Sequence, residues 1–149
     1  KQISILHKDI QIIYPVHLNP NVQNPVKMYL SELKNVHLIQ PLEYHMFVKL
    51  MDLSYIILTD SGGIQEEAPS LGKPVLIMRN KTERPEVIKS GAAALVGTNP
   101  NKIVSNTNKL LKNFSEYKKM SNTPNPFGNG NASIKIMQRI LGLKIWFVQ

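Results

Sequence analysis

The stretch Tyr55-Ile56-Ile57-Leu58-Thr59-Asp60-Ser61-Gly62-Gly63-Ile64-Gln65-Glu66-Glu67 decides the fold of this chain. Its first five residues carry no polar alternation and are apolar towards both faces, the pattern of a strand buried in a parallel sheet. They run into a polar, glycine-rich turn, and a helix is expected from Ile64. In open α/β sheets ligands bind outside the carboxyl ends of the strands, so this turn is also the first place to look for a site.

Working outward, short apolar runs recur, each followed by a stretch with helical spacing. Strands are expected at Ile10–Tyr14, stopped by Pro15, at Val36–Ile39, at Pro74–Met78 and at Ala94–Val96. Asn24 and Pro25 read as an N-cap and first-turn pair opening a helix with Val26, Tyr29, Leu30 and Leu33 on one face. Tyr44, Phe47, Val48, Leu50 and Met51 give a second amphipathic helix. A short helix is expected at Pro85–Lys89, and others at Lys102–Leu111, Glu116–Met120 and Ala132–Leu141. Pro124–Asn131 is a turn-rich loop before the last of these. Strands alternating with helices argue for a Rossmann-like, three-layer α/β/α domain with a parallel sheet. No internal repeat or linker divides residues 1–149, so one domain is expected.

Composition agrees with a globular chain: 149 residues, 42% hydrophobic and 19% charged. There is no cysteine, which excludes disulfides, a thiolate nucleophile and a sulfur-bound zinc, and suits a reducing, cytoplasmic setting. No histidine spacing suggests a metal site. The net charge of +8 favours anionic partners, but the lysines are scattered and Arg79, Arg84 and Arg139 are the only arginines. No nucleic-acid groove is expected from that distribution. No apolar run approaches the roughly 20 residues of a membrane span. The first residues, Lys1–Lys8, read as the tail of an amphipathic helix and there is no starting Met, so the chain is expected to begin inside a longer protein.

Three segments at the carboxyl edge carry candidate chemistry. Gly62 and Gly63 let the backbone approach a ligand, the helix start offers unpaired amides to an anion, and Ser61 adds a hydroxyl. The structural alternative is that Asp60 or Ser61 caps the helix and the glycines only make the turn. Glu67, about a turn and a half beyond Ser61, is close enough to face sugar hydroxyls. Arg84, just before a proline-initiated helix, is placed to fork onto a diphosphate or a sugar hydroxyl; its alternative is a solvated pair with Glu86. His17, in Tyr14-Pro15-Val16-His17-Leu18-Asn19-Pro20, can contact a phosphate or shuttle a proton, or simply take loop hydrogen bonds. Tyr44 and Phe47 sit at helical spacing with Leu50 and Met51, so core packing is their first reading and uracil stacking the second. Pro69 is too deep in its helix for a first-turn proline, and an early end or a kink is expected there.

The run Asp60–Leu76, with Met78-Arg79 and Thr82-Glu83-Arg84-Pro85-Glu86, closely resembles the non-hydrolysing UDP-N-acetylglucosamine 2-epimerases. The resemblance extends through Tyr14–Val22 and Asn125–Gly130, and covers the chain from about Asp9 to Leu141. It implies one half of a two-domain glycosyltransferase-B type fold, with the active site in the cleft between halves; this chain resembles the UDP-binding C-terminal half. It further implies that Ser61, Gly62 and Gly63 hold the diphosphate, Glu67 the ribose and Arg84 the phosphate and sugar region, with Phe47 lining the uracil pocket. His17 resembles a family histidine near a second, regulatory UDP-sugar site. The implied reaction interconverts UDP-N-acetylglucosamine and UDP-N-acetylmannosamine by eliminating UDP and adding it back, and needs neither cofactor nor metal. The implied partners are UDP or the UDP-sugar, the N-terminal half and a second copy in a homodimer, in cell-surface polysaccharide synthesis.

Two departures stand out. The family's proton-transfer carboxylates and its Gly-His-Arg-Arg-type motif belong before residue 1, so no catalytic residue is assigned here and the chain is expected to bind better than it catalyses. The ending Lys144-Ile145-Trp146-Phe147-Val148-Gln149 is unlike the usual polar tail. The alternatives are a UDP-sugar-binding half of a glycosyltransferase, which shares the architecture, and a non-catalytic remnant.

Overall fold

The computed structural model describes residues 1–142; the divergent tail from Lys144 lies outside them. It is an α/β structure in which every strand pairing among the described residues is parallel. In chain order the elements are α1 (Gln2–Leu6), β1 (Ile12–Pro15), α2 (Pro20–Leu30), β2 (Val36–Ile39), α3 (Tyr44–Leu53), β3 (Ile57–Thr59) and α4 (Gly62–Glu67). A 3-10 turn at Ala68–Leu71 follows, then β4 (Val75–Ile77), α5 (Pro85–Ser90), β5 (Ala93–Leu95), α6 (Pro100–Lys112), α7 (Phe114–Ser121) and α8 (Ala132–Leu141). None of these helices is long and apolar enough to cross a membrane.

The strands form a pair, β1-β2, and a triplet, β3-β4-β5, each in register from its first residue: Ile12 opposite Val36, Ile57 opposite Val75, Val75 opposite Ala93. The continuous sheet expected from the strand-helix alternation is thus two hydrogen-bonded units. Pro15 closes β1 without an N–H, and the ladder of β3 begins only at Ile57.

The core follows from the period of two along each strand. Val75 and Ile77 of β4 point to one face with Ile57, Ala93, Met51 and Val87; Leu76 points to the other with Val96 and Leu110. Phe47, Val48, Ile64 and Ile88 close the first face from α3, α4 and α5. Ile103 and Met120 close the second from α6 and α7. These are the three layers expected, and they explain why β3 and β4 read as unbroken apolar runs.

Two helix starts differ from expectation. The α2 helix opens at Asn19-Pro20, not Asn24-Pro25: Asn19 Oδ1 accepts the Asn21 N–H at 2.9 Å, Pro20 takes the first turn and Pro25 lies inside the helix. Both pairs carry the same signal, and the earlier one wins because the strand has already ended. The α4 helix opens at Gly62, not Ile64, with Ser61 as its N-cap. Pro69 does end it early: α4 passes into the 3-10 turn, which Gly72 stops at φ 64°.

Candidate functional site

The site is built where β3 hands over to α4. Ser61, at φ −79° and ψ 135°, is extended, and its N–H donates to the Thr59 hydroxyl at 3.0 Å. Its own side chain makes no cap bond. A serine at this position usually satisfies an amide of the first turn. Here it does not, so the amides of Gly62 and Gly63 at the helix start keep their unpaired hydrogens and the hydroxyl beside them is uncommitted. Both glycines lie within the first turn of the helix, not in the turn before it.

The loop after β4 brings Arg84 to the same place. Its guanidinium carbon is 3.6 Å from the position of a β-carbon on Gly62. Arg84 Nε donates to Glu66 Oε1 at 2.6 Å, which leaves the two terminal nitrogens facing the helix start. The pair sought in the sequence, Arg84 with Glu86, is replaced by this one, because Glu66 lies four residues after Gly62 on the same helix face. The loop itself is braced by Arg79, whose two terminal nitrogens donate to Glu83 at 2.8 and 2.7 Å. That forked bond holds the Glu83 carboxyl below its ordinary range.

Glu67 is half-buried, four residues on from Gly63 and therefore on that residue's side of α4. The loop before α8 is clipped beside it: Asn125 Nδ2 donates to the Glu66 carbonyl at 3.1 Å and to the Ser70 hydroxyl. Phe47 packs against the first core cluster together with Ile64, the residue after the two glycines, and part of its ring stays exposed. His17 is exposed, and its Nδ1 accepts the Asn19 N–H at 3.1 Å, the local loop bond weighed in the sequence.

Tyr14 in β1 lies within electrostatic reach of Asp60, the residue after β3. The Tyr14 phenol is raised above its ordinary value by burial first and by the negative charge of Asp60 second. Gln65 and Thr82, quoted in the sequence without a role, prove to connect the helix start to the Arg84 loop. The signal was there: Gln65 lies three residues before buried Ala68 and so points inward, where an amide needs partners. Among the described residues no group of three or more His, Asp or Glu side chains is arranged to hold a metal ion.

The arrangement concentrates backbone amides, a free hydroxyl and a guanidinium at one sheet edge, which suits an anion. A family model described as UDP-N-acetylglucosamine 2-epimerase matches residues 1–141. The chain is 54% identical over 143 residues to the UDP-N-acetylglucosamine 2-epimerase of Escherichia coli strain K12, covering 96% of this chain and 38% of that one. It is 54% identical over 141 residues to the enzyme of the same name from Campylobacter jejuni, covering 95% and 37%. The crystal structure of the UDP-GlcNAc 2-epimerase from Neisseria meningitidis bound to UDP-GlcNAc superposes with a TM-score of 0.87 at 49% identity, over 95% of this chain and 39% of that one. The chain thus spans about 38% of the length of the E. coli relative it matches.

Proposed function

Since the chain belongs to the UDP-N-acetylglucosamine 2-epimerase family, we propose that residues 1–149 form the single UDP-binding C-terminal domain of a non-hydrolysing UDP-N-acetylglucosamine 2-epimerase. The parent enzyme interconverts UDP-N-acetylglucosamine and UDP-N-acetylmannosamine in the cytoplasm, as a homodimer and without a cofactor. Ser61, Gly62 and Gly63 bind the diphosphate, Arg84 bridges phosphate and sugar, Glu67 takes the ribose, and Phe47 lines the uracil side. His17 contributes to a second, regulatory UDP-sugar contact.

The observation that carries this reading is the Arg84 guanidinium packed 3.6 Å from the Gly62 position, over the uncapped start of α4. UDP expelled from carbon 1 of the sugar is an anion that must be held for its return to the same carbon, while the proton returns to carbon 2 from the opposite face. Amides, a hydroxyl and a guanidinium fixed around the phosphates stabilise that charge and keep the leaving group at hand. The carboxylates that move the carbon-2 proton belong to the N-terminal half, so this domain binds UDP and does not complete the reaction by itself.

The test is calorimetric titration of the 149-residue chain with UDP and with uridine. UDP is expected to bind saturably and more tightly than uridine. Arg84→Ala is expected to weaken UDP by about 30-fold, the equivalent of about 2 kcal/mol for a lost charge-assisted contact. A folded chain with no affinity for UDP, or one that binds uridine equally well, would sink the proposal.

A further inference from the structure

Gln65 is 0% exposed, although a side-chain amide in an apolar interior is unfavourable unless both its ends are bonded. A methionine would fill a similar volume on this inward face of α4 without that demand. Both ends of Gln65 are bonded, and the direction of each bond is forced. Nε2 meets the Ser61 carbonyl at 3.1 Å and must donate, so Oε1 accepts, and the Thr82 hydroxyl donates to it at 2.5 Å. With its one proton committed, Thr82 Oγ1 accepts the Arg84 N–H at 3.1 Å. Ser61 is also held from behind, by its N–H on Thr59. A single directed chain of hydrogen bonds therefore runs from the start of α4 to the backbone of Arg84.

We infer that Gln65 and Thr82 are positioning residues of the diphosphate site, setting the separation between the Ser61 hydroxyl and the Arg84 guanidinium; this rests on the diphosphate reading above. Donors placed before the ligand arrives lose less freedom when it binds, so the benefit falls on the phosphates and not on the nucleoside. A purely structural role for Gln65 needs no contact between Thr82, which is half-buried at the loop, and the N–H of the arginine that faces the helix start.

The test titrates UDP and uridine into the 149-residue chain and its variants Thr82→Val, Thr82→Ser and Gln65→Met, with a melting curve for each. Thr82→Val swaps a hydroxyl for a methyl at a half-buried position and takes the donor from buried Gln65 Oε1, so a modest fall in melting temperature is expected beside the binding effect. It is expected to lose about tenfold in UDP affinity, as one removed hydrogen bond allows. Uridine affinity is expected to stay put, and Thr82→Ser to keep the affinity for UDP. Gln65→Met is expected to show the same UDP-selective loss; if it does not fold, the Thr82 pair decides. Unchanged UDP binding in Thr82→Val, alongside a loss in Arg84→Ala, would overturn the inference and leave the diphosphate reading standing. Equal losses for UDP and uridine that track a fall in melting temperature would also overturn it. A folded parent chain that binds no UDP overturns the diphosphate reading and this inference together.

Discussion

The Arg84 guanidinium and Gly62 are in mutual contact range: a β-carbon on Gly62 would stand 3.6 Å from Cζ and 3.7 and 3.8 Å from the terminal nitrogens. These are ordinary van der Waals distances, and Gly62 has no positive φ. Glycine at this position is therefore not required by the fold. What its missing side chain leaves open is the space between the helix amides and the guanidinium.

Gly62→Ala separates stability from binding. The folded chain is expected to melt at the same temperature or slightly higher, since replacing a helical glycine stabilises by up to about 1 kcal/mol. UDP affinity is expected to fall about tenfold, the equivalent of about 1.4 kcal/mol, because the methyl stands where a phosphate approaches. Melting curves and titration on the same sample check both halves. A variant that binds UDP as the parent does would show that phosphates do not pass this point.

Arg84→Lys keeps the charge and is still expected to lose most of the affinity, about tenfold. Arginine meets Glu66 through Nε at 2.6 Å while its two terminal nitrogens stay turned to Gly62. A lysine has one nitrogen for both tasks, and Glu66 is close enough to capture it. Full affinity in the lysine variant would mean that charge alone, without the forked geometry, serves this site.

The Tyr14 phenol reports whether Asp60 stands within electrostatic reach of it in solution. Burial raises its pKa first and the Asp60 carboxylate second, so it is expected to ionise above the ordinary tyrosine value. A group raised in the folded state contributes stability below its unfolded pKa, and that contribution is lost as pH rises through the folded value. Asp60→Asn is expected to lower the Tyr14 titration only part of the way, since burial remains. Tyr117, raised by burial and then by Tyr55, should not move. Tyrosinate absorbance against pH, with Tyr14→Phe to assign the signal, makes the check; no change in Asp60→Asn would mean that Asp60 stands beyond that reach.

Local signals account for most of what was legible. The apolar runs of β3 and β4 are continuous because each strand is buried on both faces, and their parallel pairing followed from the helices between them. The start of α2 was misplaced because two equivalent signals stand close together. Asn19-Pro20 and Asn24-Pro25 are the same dipeptide five positions apart, and only the end of β1 decides between them. Gly62 and Gly63 read as turn residues because glycine disfavours helices on average. In place, they are the first helical residues, where that penalty is smallest and close approach is possible.

What the sequence determined by itself was the α/β class, the edge of the sheet that carries the polar turn, and the residue types gathered there. These depend on periodicity and on short motifs, which act over neighbouring residues. Only the tertiary structure decided which partners meet: Arg84 with Glu66 and not Glu86, Gln65 with Thr82, Tyr14 within the field of Asp60. Each of those contacts joins segments separated along the chain and brought together by strand packing. A side chain's partner there depends on where two loops stand in space, and no local spacing encodes that.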